Sequence, residues 1–94
     1  MNVREKIADT LLLMKEIFGM NKSNELNVPF SREDIANAAG STRQQVVMQI
    51  SEFERDGYIE KRGKKIALTN IECLQEITSK FNAHANHVKT PHHA

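Results

Sequence analysis

SREDIANAAGSTRQQVVMQISEFERDGYIEKRGKKIAL, residues 31–68, spells a helix, a tight turn, a second helix and then a basic hairpin. Ser31 can cap a helix, and the carboxylate of Asp34, three residues on, faces the free amides of the first turn, so a helix is expected from Arg32. Ile35, Ala36 and Ala39 form its buried face, small enough for a second helix to approach closely. Gly40 supplies the positive φ that a sharp reversal needs. Ser41 and Thr42 are both competent caps with a glutamine three residues later, Gln44 and Gln45, which starts the second helix at Thr42 or Arg43 and runs it to about Asp56, with Gly57 closing it.

Within the second helix, Val46, Ile50 and Phe53 recur at spacings of four and three and make one core-facing stripe. At roughly 100° per residue, Gln44, Met48, Ser51 and Arg55 lie across from that stripe, and Arg43 swings outward from the first turn. Ser41 to Gln45 contain no acidic residue. Such a surface suits an anionic, hydrogen-bonding partner. Beyond Gly57, Tyr58–Glu60 and Lys65–Leu68 read as two strands joined through Lys61, Arg62, Gly63 and Lys64, with the glycine at the reversal. Lys61, Arg62, Lys64 and Lys65 put four cations around that turn, with Glu60 as the nearby anion. The expected fold is mainly α with a small β-hairpin wing, a winged helix-turn-helix.

The flanks complete this unit. Ile7, Leu11, Met14 and Phe18 mark a leading amphipathic helix that helps enclose the core, and residues 19–27 read as a polar, solvated connection. A last helix is expected from about Asn70 to Phe81, capped by Thr69 or Asn70, with Ile71, Leu74, Ile77 and Phe81 facing inward. Residues 1–82 thus form one domain. Residues 83–94 carry His84, His87, His92 and His93, have no apolar period and contain Pro91, so they read as a disordered tail and not as a metal site.

Asn27–Ala36, Gly40–Arg43, Phe53–Ile59 and Gly63–Ile66, with Arg4–Leu12 ahead of them, resemble the C-terminal winged-helix domain of the Crp/Fnr family, the cyclic-AMP receptor protein and fumarate-nitrate regulator transcription factors. The resemblance implies sequence-specific binding of double-stranded DNA, with the second helix in the major groove and the wing along the backbone. It implies base-reading positions at Arg43, Gln44 and Met48, and phosphate positions at Ser31, Arg32, Thr42 and Gln45; Arg62 and Lys64 of the wing are expected on phosphates as well. Many members carry Glu at the place of Gln44 and Arg at that of Met48. Gln can form a bidentate pair with adenine and Met offers only apolar contact, such as with a thymine methyl, so the family's usual operator does not transfer.

The resemblance further implies RNA polymerase as a partner of the connecting loop and a homodimer in the full-length protein. On that reading the chain is an excised C-terminal half, without the effector domain and monomeric alone. The competing expectation is a winged helix used as a protein-contact or oligomerisation module.

Composition is compatible with either. Ninety-four residues with a net charge of +1 and a pI near 7.9 fall well short of the strongly basic balance of a protein that binds nucleic acid by charge alone. Cys73, the single cysteine, excludes an intramolecular disulfide and fits a reduced, cytoplasmic setting as a packed thiol. No apolar run nears the roughly 20 residues that span a bilayer. With no Ser/His/Asp set, no Gly-rich phosphate loop and no carboxylate pair in a pocket, neither catalysis nor a cofactor is expected.

Overall fold

The computed structural model describes residues 2–78. Helix α1 spans Val3–Phe18, α2 Arg32–Ala39 and α3 Arg43–Arg55; strands β1, Glu60–Arg62, and β2, Lys65–Ala67, form an antiparallel hairpin. A fourth helix, α4, is described over residues 71–78. Expectations for Phe81 and for residues 83–94, the histidines included, lie outside the described residues.

Local chemistry sets each helix start. Asn2 and Glu5 form a capping box at α1, Ser31 accepts from the Asp34 amide at α2, and Asn70 accepts from the Cys73 amide at α4. Of the two candidate caps of α3, Thr42 is the one used, in a capping box with Gln45. The Ser41 amide instead turns back to the Ala36 carbonyl, 2.9 Å away, and the Ser41 hydroxyl is buried with no hydrogen-bond partner among the described residues. Gly40 sits in the left-handed region at φ +65° and makes this reversal possible.

The core joins all layers. Ile7, Ala8 and Leu11 of α1, Ile35 and Ala36 of α2, and Val46, Ile50 and Phe53 of α3 meet Ile59, Ile66, Leu68 and Leu74. Phe18 departs from its expected place. The fully buried stretch of α1 ends with Leu11, and Leu13, Ile17 and Phe18 stand 52%, 64% and 47% exposed, while Met14 before them and Met20 after them take the partly buried places against the core.

Two further expectations change. The first wing strand begins at Glu60, not Tyr58, since the Tyr58 amide bonds the Phe53 carbonyl and the Tyr58 carbonyl accepts from Asn70. Those groups are spent on closing α3 and seating α4, so Tyr58 cannot pair in the hairpin, and Ile59 lies outside the strand. The reversal is therefore only Gly63 and Lys64, with Arg62 opposite Lys65. Gly63 at φ +61° occupies the first central position, as in a type II′ turn.

Residues 19–27 are also more than a solvated connection. Asn21 accepts from the amides of Ser23 and Glu25, and Asn24 adopts φ +62°, which folds the segment back so that Met20 bridges Leu26. Its second arm then lies against β2: the Leu26 amide bonds the Ile66 carbonyl, the Leu68 amide the Asn24 carbonyl, and the Phe30 amide the Lys64 carbonyl, at 2.8–2.9 Å. Leu26 is fully buried. Leu26→Ala should therefore cost about 2–5 kcal/mol in urea unfolding, while Lys22→Ala in the same segment stays within about 0.5 kcal/mol. Equal, small effects would contradict a connector that is part of the core.

Candidate nucleic-acid interface

With Val46, Ile50 and Phe53 held in the core, the rotation of α3 is fixed and its remaining residues face outward. Arg43, Gln44, Gln45, Val47, Met48, Ser51 and Arg55 are exposed, Met48 to 66% against 37% for Val47. The first turn of α3 holds no acidic group, so nothing there cancels the partial positive charge of the free amides. Arg43, Gln44 and Met48 thus share the accessible N-terminal half of one helix, as the sequence spacing predicts.

The residues expected beside them are in part engaged. The Thr42 hydroxyl accepts from the Gln45 amide at 3.1 Å and the Gln45 side chain accepts from the Thr42 amide at 2.9 Å. Ser31 likewise accepts at the start of α2, at 3.2 Å. Both hydroxyls keep a hydrogen to donate outward. Arg32 lies over the Phe30 ring, 5.0 Å from its centre, an arrangement that limits the rotamers of its long side chain.

The wing is less positive than its sequence suggests. Glu60 is not the sole anion near it: Arg62 donates to Glu60 at 2.7 Å and to the Ser23 carbonyl at 2.9 Å, and Glu25 lies 3.6 Å away. Hydrogen bonding to Glu60, with smaller help from the charges of Glu60 and Glu25, raises the pKa of Arg62 further. Lys65 reaches the Leu26 carbonyl at 3.3 Å. Lys64, at the turn, pairs with no carboxylate among the described residues.

Sequence reasoning missed one cluster altogether. Arg4 of α1 pairs with Glu52 of α3, and Gln49 donates to the same carboxylate oxygen at 2.7 Å. The Arg4 guanidinium also lies 5.2 Å from the centre of the Phe53 ring and 5.8 Å from that of Tyr58. Only the i, i+3 spacing of Gln49 and Glu52 was visible locally; Arg4 stands 48 residues away. Among the described residues no group of His, Cys, Asp and Glu could hold a metal ion, and no helix is long and apolar enough to cross a membrane.

A family model for a Crp-like helix-turn-helix domain matches residues 5–77. The fold is similar to that of a CRP/FNR-family transcriptional regulator from Thermus thermophilus, with a TM-score of 0.73 and 26% identity over 83% of this chain and 41% of that one. It is similar also to FixK2 from Bradyrhizobium japonicum, with a TM-score of 0.70 and 26% identity over 81% of this chain and 38% of that one. A crp/fnr-family protein from Eubacterium rectale gives a TM-score of 0.71 and 25% identity over 82% and 33%. The chain spans between a third and about two fifths of the length of these proteins. No curated protein is significantly similar to it in sequence.

The Glu52 cluster makes stability depend on pH. The hydrogen bond from Gln49, followed by the charge and hydrogen bond of Arg4, holds the Glu52 carboxyl below the ordinary glutamate range and outweighs the cost of burial. A carboxyl with a depressed folded-state pKa contributes stability that is present above its unfolded pKa and lost as pH falls through the folded value. Glu52→Gln should therefore lower the melting temperature modestly at pH 7, and the gap to wild type should close below about pH 4. A gap of constant size down to pH 3 would contradict the pairing.

Proposed function

Because the chain belongs to the Crp-like helix-turn-helix family, we propose that it binds double-stranded DNA sequence-specifically, as the DNA-reading part of a bacterial-type transcription regulator. The observation that carries this reading is the N-terminal half of α3, where Arg43, Gln44 and Met48 stand exposed above a helix start free of acidic residues. In this reading α3 enters the major groove. Arg43 and Gln44 meet base edges, and Met48 makes apolar contact, as with a thymine methyl.

Phosphates are held around that contact. Arg32 reaches the backbone from its place over Phe30, and the hydroxyls of Ser31 and Thr42 donate outward while accepting from their helix amides. Gln45 stands beside the backbone at the same helix start. The wing lies along the duplex with Lys64 as its main anchor. Arg62 is the weaker wing contact, since it already donates to Glu60 and to the Ser23 carbonyl and lies beside the Glu25 carboxylate. Such contacts position the domain, while base contacts specify the site.

We further propose that two copies read paired half-sites through dimerisation elements outside residues 2–78, and that the connector 19–27 is the surface offered to RNA polymerase. Its place of work would be the cytoplasm, where bacterial DNA lies. Use as a protein-contact module has one observation in its favour, the exposed Leu13, Ile17 and Phe18 on α1, which present no cation or amide to a phosphate.

Titration with a random-sequence duplex, followed by amide chemical shifts at low and moderate salt, tests the reading. Salt-sensitive shifts are expected in the first two turns of α3 and around Gly63; shifts absent there at low salt would favour protein contact. On a selected site, Arg43→Ala should cost about 1–3 kcal/mol and relax preference at one base pair, while Lys64→Ala should weaken all duplexes alike and flatten the salt slope by about one. Arg62→Ala should reduce the slope less than Lys64→Ala does.

A further inference from the structure

Glu52 is an acid in an awkward place for a DNA-reading helix. It follows Met48 by one helical turn, and it lines the same surface recess as Val3, Gln45, Met48, Ser51 and Arg55. An unscreened carboxylate at that position would face the phosphates flanking any base pairs that Met48 touches. Two like charges about 6–8 Å apart near a protein surface repel by an amount that shifts binding several-fold.

Arg4 is positioned to cancel it. Its guanidinium arrives from α1, bonds the Glu52 carboxylate, and is steadied from behind by the rings of Phe53 and Tyr58, themselves stacked with centres 5.9 Å apart. Gln49 shares the same oxygen. The Arg4 and Glu52 side chains are 35% and 40% exposed, so counterions screen the pair only partly. The direction of the Glu52 pKa agrees, because the carboxylate is kept charged and must be neutralised by a partner and not by protonation.

We propose that Arg4 is a positioning residue for DNA binding, which masks the Glu52 charge at the edge of the reading surface and fixes that edge of α3 to α1. The inference rests on the DNA-binding reading above. Its consequence is specific: the penalty for losing Arg4 should vanish once Glu52 is neutral.

The test is a double-mutant cycle on the full chain, read as duplex affinity by fluorescence anisotropy at fixed moderate salt, with thermal unfolding of every variant. Arg4→Gln should weaken binding about 3- to 10-fold, and Arg4→Gln/Glu52→Gln should regain most of that loss. The double variant has the net charge of the wild type, so Arg4→Gln/Glu16→Gln serves as control, because Glu16 is exposed and roughly 18 Å along α1 from Arg4. That control should stay weak. Arg4→Lys keeps the charge without the planar stack and should bind within about twofold of wild type.

Rescue by Glu52→Gln but not by Glu16→Gln supports the masking role. Equal rescue by both reduces the effect to net charge and overturns it, as does a double variant no better than Arg4→Gln. If Arg4→Gln fails to fold, Arg4→Lys decides: affinity as low as that of Lys64→Ala would make the ring stack, not the charge, the contribution of Arg4. Wild-type protein with no duplex binding at low salt would instead fail the DNA reading itself, before any variant is compared, and the masking role with it.

Discussion

Burial of Val46, Ile50 and Phe53 on one stripe of α3 is the constraint on which the remaining architecture depends. Each of these side chains gains about 1.5–3 kcal/mol by leaving water, and the three together leave α3 one rotational setting about its axis. Turning the helix by one residue would bring Val47 or Gln49 inward and expose a core side chain. The outward face is therefore a consequence of the inward one. Arg43, Gln44 and Met48 are presented because Val46, Ile50 and Phe53 are hidden, and Gly40 lets α2 and α3 meet sharply enough for Ile35 and Ala36 to complete the same core.

Strand β2 performs a second joining role. One of its edges pairs with β1, and the other receives the connector arm through the Leu26, Phe30 and Leu68 region. A hairpin of three-residue strands is marginal by itself. Sandwiching β2 between two partners, with Ile66 buried beneath it, gives the wing a defined orientation relative to α3. The Arg62 clasp to Ser23, Glu25 and Glu60 adds a polar link of the same kind, exposed enough that its direct contribution to stability is small.

Charge is managed pair by pair and not by total. The chain is nearly neutral, yet its acids are distributed so that several of them answer a particular cation: Glu25 and Glu60 to Arg62, and Glu52 to Arg4. What is left unanswered among the described residues includes Arg43 and Lys64, at the helix start and at the wing tip. A modest pI is thus compatible with a local field of one sign, since interactions across the surface beyond about 10 Å are largely screened in ordinary salt.

The starts of α2 and α3, the reversal at Gly40, the core stripe of α3 and the turn at Gly63 were all legible in the sequence, because each depends on residues within four positions of one another: a cap and its amide, a repeat of three and four, a glycine where φ must be positive. The exposed reading face followed from the stripe by geometry alone. Tertiary structure decided the rest. It moved the first wing strand to Glu60 because Tyr58 is used by Phe53 and Asn70, it drew residues 19–27 onto β2, it left Phe18 in solvent, and it paired Arg4 with Glu52 across 48 residues. None of these has a local signature, since each is a competition for one backbone group or one charge that is settled only when distant segments of the chain are brought together.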